Sequence, residues 1–166
     1  MRAGIALGAN IGDRLACLTT ARAQIFALEG VRSPLLASSL YETEPVDCEA
    51  EAPKFFNGVV EIGYEGPTLE LLAELQRIER ALGRPAAHER NRSRTIDLDL
   101  LYHGSHVLSE PELELPHPRL AFRAFVLQPL AEIRPNLILP GKSRTVQEMA
   151  EERSATLAVV RLPLRW

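Results

Sequence analysis

Two stretches of the chain carry an apolar residue at every third or fourth position, the spacing that lines one face of an α-helix. The first stripe comprises Leu15, Leu18, Ala21, Ile25 and Leu28, and the second comprises Leu69, Leu72, Leu75, Ile78 and Leu82. Asp13 is placed to cap the start of the first helix, and Gly30 to end it. Thr68 is the expected cap of the second helix, and Gly83 is the residue expected to end it.

Four other segments predict β-strands, because they are short, largely apolar and bounded by turn-forming residues. They cover residues 4–7, 35–43, 55–64 and 95–102. With the two helices, the order becomes βαββαβ, the ferredoxin-like pattern of an antiparallel sheet covered by helices on one face. The sequence therefore predicts an α+β fold, as a single domain over residues 1–166, since this length suits one core.

The residues beyond this core predict a less regular C-terminal extension. Residues 119–133 have a partly helical pattern that Pro129 is expected to interrupt, because proline lacks the N–H group that a helix interior needs. Thr145 and Glu148 have the spacing of a capping box that opens a short helix. Residues 157–162 predict a final strand.

Composition narrows the classes of function. The net charge of −3, from 19 basic and 22 acidic residues, lacks the basic excess typical of a nucleic-acid binder. No run of about 18 apolar residues is present, and the N-terminus lacks the apolar segment of a signal peptide. Cys17 and Cys48 form no CxxC motif, so we expect free thiols in a reducing compartment. These features predict a cytoplasmic protein with no nucleic-acid or membrane partner.

The sharpest chemical signal is a pair of aspartates on the last strand of the predicted core. Because side chains alternate along a strand, Asp97 and Asp99 share one face, with their Cα atoms about 7 Å apart. Two like charges at this separation repel each other, and a pair of Mg²⁺ ions would relieve the repulsion. Two metal ions held in this way form a clamp for phosphoryl transfer. The simpler alternative is an exposed strand face that carries two acids without a function.

A basic loop directly before this strand favours phosphate chemistry. It contains Arg84, Arg90, Arg92 and Arg94. Guanidinium groups neutralise the charge that develops on phosphates during transfer, although they also form solvated ion pairs of little energetic value.

Other catalytic motifs are missing from the sequence. There is no G-x-x-x-x-G-K-[ST] phosphate loop, which excludes a P-loop kinase, and there is no G-x-S-x-G or H-E-x-x-H motif. We interpret His88, His103 and His106 as ordinary surface or turn residues.

Six segments of the chain form a pattern when they are taken in order. They are LGANIGD at residues 7–13, SLYETEP at 39–45, FFNGVVE at 55–61, LQRIE at 75–79 with GR at 83–84, RTIDLDLL at 94–101, and LPHPR at 115–119 with RAFVL at 123–127. Together they resemble the 6-hydroxymethyl-7,8-dihydropterin pyrophosphokinase family, and the RTIDLDLL segment is the most telling.

This resemblance implies an enzyme that transfers pyrophosphate from ATP to the hydroxymethyl group of a dihydropterin in folate biosynthesis, with AMP as the other product. It implies that Asp97 and Asp99 hold two Mg²⁺ ions, and that Arg84 and Arg94 act as catalytic residues on the phosphates. The implied ATP-binding residues are Gln76, Glu79, Arg84, Arg94, Leu100, His117 and Arg123.

The resemblance also implies a pterin site. The flat pterin would lie between the rings of Phe55 and Phe125, since aromatic rings stack on a planar heterocycle. Asn57 would recognise the pterin edge, because an amide offers both donors and an acceptor. Thr43 and Val46 would contact the pterin through backbone groups.

Two loops depart from the family pattern. Residues 47–54 and 84–94 are the implied lids that exclude water. Some family members carry a second arginine where this chain has Ala86, and a tryptophan where it has Asn91. These differences affect how the second lid closes and how tightly ATP binds, but they leave the reaction class intact.

The residues alone do not exclude two other functions. A two-metal nucleotidyl transferase that acts on nucleic acid would need a basic groove with aromatic residues, which the acidic balance and the 5% aromatic content do not favour. A non-catalytic nucleotide- or pterin-binding module would not need the aspartates and arginines together. We expect a monomer, because one chain supplies the whole implied site.

Overall fold

The structure is a computed structural model that describes residues 1–45, 51–84, 93–154 and 158–166. Its elements in chain order are β1 (Arg2–Ala9), α1 (Arg14–Phe26), β2 (Val31–Ala37), β3 (Tyr41–Thr43), β4 (Phe55–Tyr64), α2 (Thr68–Ala81), β5 (Asp97–His103), β6 (Leu108–Ser109), β7 (Glu114–Leu115), a 3₁₀ helix (Leu120–Phe122), α3 (Ala124–Ile133), α4 (Val146–Arg153) and β8 (Val159–Arg161). The predicted α+β class and the βαββαβ core are confirmed.

One antiparallel sheet organises the molecule. Its strand order is β5-β1-β4-β3-β8, and β2 also pairs with β4. The strands β6 and β7 form a separate hairpin, which the sequence patterns did not predict.

Helices cover both faces of the sheet, so the prediction of helices on one face is wrong: the C-terminal helices α3 and α4 pack on the second face. One face packs on α1 and α2 through a core that includes Ile5, Leu7 and Leu98. The other face packs on α3 and α4 around Val59 and Leu101. The second layer of helices covers only part of its face, and the uncovered part of β1, β4 and β5 forms the floor of the site described below.

The predicted strand over residues 35–43 is wrong in its extent. The structure has two strands there, β2 and β3, which pair with different parts of β4. Between them, the Ser38 N–H donates to the carbonyl of Val59, and the Ser38 hydroxyl accepts from the Val59 N–H. The Ser38 side chain thereby provides a hydrogen-bond acceptor for the Val59 N–H group of β4, where the backbone ladder is interrupted.

Two local predictions at the helices are also wrong. Pro129 does not interrupt α3 but lies buried within it, where the surrounding core holds the helix together despite the missing N–H. Thr68 does not cap α2, since its hydroxyl bonds to His103 and His106 instead. By contrast, Asp13 caps α1, and Thr145 and Glu148 form the predicted capping box of α4.

The prediction that His103 is an ordinary surface or turn residue is wrong, because His103 is fully buried. Its Nδ1 lies 2.9 Å from the Thr68 hydroxyl, and its Nε2 lies 3.1 Å from the carbonyl oxygen of Tyr64. Burial lowers the pKa of His103, so the neutral ring is favoured.

Across the described ranges, every helix falls short of the length and apolar character that crossing a bilayer would take.

Candidate active site

The floor of the site is built from small residues on β1, which lies between β4 and β5 in the sheet. Gly8 of β1 lies directly between Asn57 of β4 and Asp97 of β5, and Ala6 lies between Val59 and Asp99. Residues paired directly across strands share a face, so both aspartates and Asn57 project from the same side of the sheet. A Cβ atom at Gly8 would come within 3.2 Å of the Asn57 side-chain oxygen, so glycine leaves space here.

Asp97 is held by two arginines from different elements. Arg84, just after α2, donates to Asp97 Oδ1 at 2.5 Å, and Arg94, just before β5, donates to Oδ2 at 2.8 Å. The Asp97 side chain nevertheless remains 23% exposed. The structure thus brings together three of the four residues predicted to be catalytic.

Asp99, the fourth, has weaker and fewer partners. Arg123 donates to Asp99 Oδ2 at 3.2 Å, and His117 Nε2 lies 4.0 Å from the same oxygen. Burial lowers the pKa of His117, an effect that the charge of Asp99 opposes. Burial likewise lowers the pKa of Arg123, again against the opposing charge of Asp99. The predicted residues His117 and Arg123 therefore belong to the same site as the aspartates.

Glu79 of α2 contacts the arginine cluster from the helix side. Its carboxylate accepts a hydrogen bond from Arg84 and one from the Leu98 N–H at 2.7 Å. Burial raises the pKa of Glu79 to about 7, and the nearby charge of Asp97 adds to the rise, whereas the Leu98 N–H and Arg84 oppose it. Glu79 thus fixes both Arg84 and the outer edge of β5 next to the aspartates.

The two predicted aromatic residues, Phe55 and Phe125, lie next to the arginines that contact the aspartates. The Arg94 guanidinium lies 5.9 Å from the centre of the Phe55 ring, and the Arg123 guanidinium lies 5.4 Å from that of Phe125. Arg94 therefore links the Phe55 ring to Asp97, and Arg123 links the Phe125 ring to Asp99. Both rings are half-buried, so each keeps an exposed surface.

Asn57 is buried at the end of this floor, and its amide N–H group donates to the Thr43 hydroxyl at 2.8 Å. The Asn57 side-chain oxygen faces Gly8 and keeps an acceptor for a ligand edge. The contact joins two of the predicted pterin residues, Asn57 and Thr43.

Three predicted residues are not joined to this cluster. Gln76 is exposed on α2 and makes no hydrogen bond or ion pair to the site within the described ranges. The Leu100 side chain is buried in the core on the opposite face, so only its backbone could meet a ligand. Val46 lies outside the described residues, as do Cys48, Ala86, Arg90, Asn91 and Arg92.

One buried residue of the site was not singled out by the sequence reasoning. Asn10, only 2% exposed, bonds through its side chain to residues on both sides of the floor. The sequence gives little indication of this role, because asparagine is common in glycine-rich turns for conformational reasons alone. Only its burial distinguishes it from a turn-forming residue.

The donor set fits magnesium held jointly with a phosphate ligand. Among the described residues, no group of three or more His, Cys, Asp or Glu side chains converges as a metal cage. Mg²⁺ is commonly bound by one or two carboxylates, with waters and substrate phosphates completing the shell. The Arg94 Nε atom is also buried without a hydrogen-bond partner in the part of the chain that the structure describes. An anionic ligand would supply that partner.

Comparison with known proteins places this site in a family. Residues 4–135 match the family model "7,8-dihydro-6-hydroxymethylpterin-pyrophosphokinase (HPPK)". This span contains every residue of the aspartate, arginine and aromatic cluster.

Curated relatives agree with the family match. The chain is 44% identical over 129 residues to the 2-amino-4-hydroxy-6-hydroxymethyldihydropteridine pyrophosphokinase of Bacillus subtilis, covering 78% of this chain and 75% of that protein. It is 35% identical over 148 residues to the folic acid synthesis protein fol1 of Pneumocystis carinii, covering 89% of this chain but only 20% of that protein. The chain thus spans about a fifth of the fungal relatives and most of the bacterial ones.

Solved structures show the same fold. A crystal structure of HPPK-DHPS in complex with substrates superposes with a TM-score of 0.69 at 12% identity, over 93% of this chain and 44% of that one. Plasmodium falciparum HPPK-DHPS A437G with SDX-DHP gives a TM-score of 0.71 at 15% identity, over 93% and 46% of the two chains.

Proposed function

This chain belongs to the 7,8-dihydro-6-hydroxymethylpterin-pyrophosphokinase family, and from that premise we propose that it transfers pyrophosphate from ATP to 6-hydroxymethyl-7,8-dihydropterin. The products would be the pterin diphosphate and AMP, within folate synthesis. The single observation that carries the proposal is the pair of aspartates, each linked through an arginine to an aromatic ring. This arrangement offers a phosphate site and a site for a flat heterocycle side by side.

The pterin would occupy the space between the Phe55 and Phe125 rings. Stacking on aromatic rings gives affinity for a planar heterocycle, and the buried Asn57 amide would give orientation. Asn57 is well suited because Thr43 already fixes its N–H group, which leaves the oxygen directed at the floor.

The arginines would exchange partners when ATP binds. Arg84 and Arg94 now occupy both oxygens of Asp97, and Arg123 contacts Asp99. Phosphate oxygens are strong acceptors for guanidinium groups, so the arginines would turn from the carboxylates to the phosphates. Asp97 and Asp99 would then be free to hold two Mg²⁺ ions, whose chemistry is to neutralise the phosphate charge and align the reacting groups.

The reaction itself would be a direct transfer. The hydroxymethyl oxygen of the pterin attacks the β-phosphorus of ATP, the bond between that phosphorus and the α-phosphate bridging oxygen breaks, and AMP leaves with that oxygen. The hydroxyl proton passes to solvent, since the described site places no strong base beside the floor. Arg84, Arg94 and Arg123 would stabilise the charge that develops, and positioning would supply much of the rest.

We further propose that one chain suffices, because all the contacting residues of the site come from a single protomer. The substrates would be small molecules, ATP and the pterin, with no nucleic-acid or membrane partner.

Product analysis tests the reaction class. The protein is mixed with ATP, Mg²⁺ and 6-hydroxymethyl-7,8-dihydropterin, and nucleotides are separated by chromatography, with samples lacking the pterin or containing excess EDTA as controls. We expect AMP and pterin diphosphate in equal amounts, only when pterin and Mg²⁺ are both present. ADP would show an ordinary kinase, and free pyrophosphate would show a nucleotidyl transferase. Binding of both substrates without any product would favour the binding-module alternative.

A further inference from the structure

Asn10 lies at the end of β1, in the turn that leads to α1, and is almost completely buried. A buried asparagine must satisfy one acceptor and two donors, or it costs free energy. The bonds that satisfy it connect two segments that are distant in the sequence, the residues before β4 and the residues before β5.

On the side of β5, Asn10 fixes the backbone of Arg94, the arginine proposed to bind phosphate. The Asn10 N–H donates to the Arg94 carbonyl at 3.1 Å, and the Arg94 N–H donates to Asn10 Oδ1 at 2.7 Å. Asn10 Nδ2 also donates to the Ser93 hydroxyl at 3.0 Å. Arg94 is therefore clamped through both of its backbone polar groups.

On the side of β4, the same amide holds the residues next to the proposed pterin ring. Asn10 Nδ2 donates to the Pro53 carbonyl at 3.2 Å. Arg14, from the start of α1, adds a bond to the Lys54 carbonyl at 2.7 Å and lies 3.7 Å above the Phe56 ring. The residue that follows Lys54 is Phe55, so this anchor sets where Phe55 enters the site.

The orientation of the amide is fixed by its partners. The Pro53 carbonyl can only accept and the Arg94 N–H can only donate, so the Asn10 oxygen must face Arg94 and its nitrogen must face Pro53. An aspartate at this position would keep the acceptor but would lose both donors. No side chain other than an amide satisfies this set of partners.

We propose that Asn10 is a positioning residue that sets the distance between the phosphate half and the pterin half of the active site. It does so by holding the backbone of Arg94 and the residues before Phe55 with one rigid amide. The inference rests on the proposed function, because those two halves matter jointly only if a pterin and a triphosphate react with each other. Asn10 itself would touch neither the pterin nor the phosphates.

A positioning role predicts a specific kinetic pattern. Misplacing two reactants by about 1 Å can cost about 100-fold in rate, even when each reactant still binds. Asn10→Ala should therefore lower kcat by about 10- to 100-fold and change the Kd of each substrate alone by less than about threefold. A residue that only supported folding would lower the melting temperature without this separation of kcat from Kd.

The test measures the wild type, Asn10→Ala and Asn10→Asp in parallel. Kd is obtained by calorimetry for the pterin alone and for a non-hydrolysable ATP analogue with Mg²⁺, and kcat is obtained from AMP formation. Asn10→Asp keeps the side-chain volume and the acceptor, so it remains informative if Asn10→Ala does not fold. The control is Asn136→Ala, at an exposed asparagine after α3, which should leave all three quantities unchanged.

The outcomes separate the two proposals. A wild type that forms no AMP contradicts the proposed function and removes the basis of this inference. An active wild type with both Asn10 variants within about twofold of its kcat overturns the inference alone. A loss confined to the Kd of one substrate, with kcat unchanged, also overturns it, because Asn10 would then serve a single half of the site.

Discussion

Two clusters of carboxylates and arginines lie on the same face of the sheet, at opposite ends of β1. At one end, next to Gly8 and Ala6, are Asp97 and Asp99. At the other end, next to Gly4, Glu61 is surrounded by Arg2, Arg134 and Tyr102. Both clusters have similar composition, yet only the first has the properties of a ligand site.

The difference lies in how completely the carboxylate is satisfied. Glu61 is fully buried, and each of its oxygens accepts two bonds, from Arg2 and Arg134 on one and from Tyr102 and Arg134 on the other. Asp97 and Asp99 remain 23% and 30% exposed, and Asp99 has a single arginine at 3.2 Å. An ion pair with every acceptor occupied is structural, whereas partly satisfied carboxylates can accept a metal or exchange partners.

The neighbouring residues reinforce this contrast. At Gly4, an added Cβ would lie 2.3 Å from the Tyr102 ring, so the protein itself fills the space above the strand. At Gly8, the nearest atom is the Asn57 oxygen at 3.2 Å, which is part of the proposed ligand site. Glycine at one end of β1 thus makes room for the Tyr102 ring, and at the other end it leaves the space that the proposed ligand would use.

The greatest loss of activity should follow from changing one of the two exposed aspartates. Asp99→Asn should reduce kcat/KM for AMP formation by about 10³-fold, since metal-assisted charge stabilisation contributes several kcal/mol and each 1.36 kcal/mol is tenfold. The free energy of unfolding should change by less than about 1 kcal/mol, because the pair with Arg123 is partly exposed. Steady-state kinetics and urea unfolding measure the two quantities. Retention of activity within tenfold would remove Asp99 from the proposed metal site.

A substitution of the buried Glu61 should instead lower stability and leave activity nearly unchanged. Glu61→Gln leaves Arg2 and Arg134 without their common counter-charge, so the free energy of unfolding should fall by about 3 kcal/mol. Urea denaturation followed by circular dichroism checks this value. A stability equal to that of the wild type would mean that the cluster is not the structural tie described above.

The buried His103 lies outside both clusters and should give the molecule a pH-dependent stability. Because burial lowers the pKa of His103, the unfolded chain binds the proton more readily than the folded one. The contribution of His103 to stability is therefore complete above about pH 6.5 and is lost as the pH falls below that value. Unfolding measured from pH 5 to 8 should show a smaller pH dependence in His103→Gln than in the wild type. An identical dependence in both proteins would contradict the assignment.

The smallest effect is expected at the capping box of α4, far from the aspartates in the sequence. Thr145→Ala removes the side chain that accepts from the Glu148 N–H, and should cost about 1 kcal/mol of stability. Activity at a temperature where both proteins are folded should be unchanged. A loss of kcat in this variant would show that α4 influences the site, and the division into structural and catalytic regions would need revision.

Local sequence patterns predicted the features that depend on neighbours in the chain. The strand over residues 55–64 has the bounds of β4, because aromatic and β-branched residues mark it without help from other segments. The shared face of Asp97 and Asp99 follows from strand alternation alone, and their neighbour Leu98 is buried on the opposite face as expected. The Thr145–Glu148 capping box is a local signal of the same kind.

Features that depend on distant partners were not predictable in the same way. The division of residues 35–43 into β2 and β3 reflects where each pairs along β4, and no local pattern encodes that register. Thr68 is an ordinary helix-capping residue by sequence, but His103 and His106, more than 30 residues away, bind its hydroxyl. Asn10 belongs to the same class, since its three partner residues, Pro53, Ser93 and Arg94, are brought to it by the tertiary fold.

The assignment of Asp97 to a ligand site and of Glu61 to a structural ion pair is tested by comparing AMP formation in Asp97→Asn and in Glu61→Gln, at a low temperature at which both variants are folded. Both substitutions remove one negative charge from an arginine cluster on the same sheet face. We predict that Asp97→Asn loses about 10³-fold in activity, whereas Glu61→Gln stays within about fivefold of the wild type. An equal loss in both folded variants, or a larger loss in Glu61→Gln, would contradict the assignment of Asp97 to the ligand site and of Glu61 to a structural role.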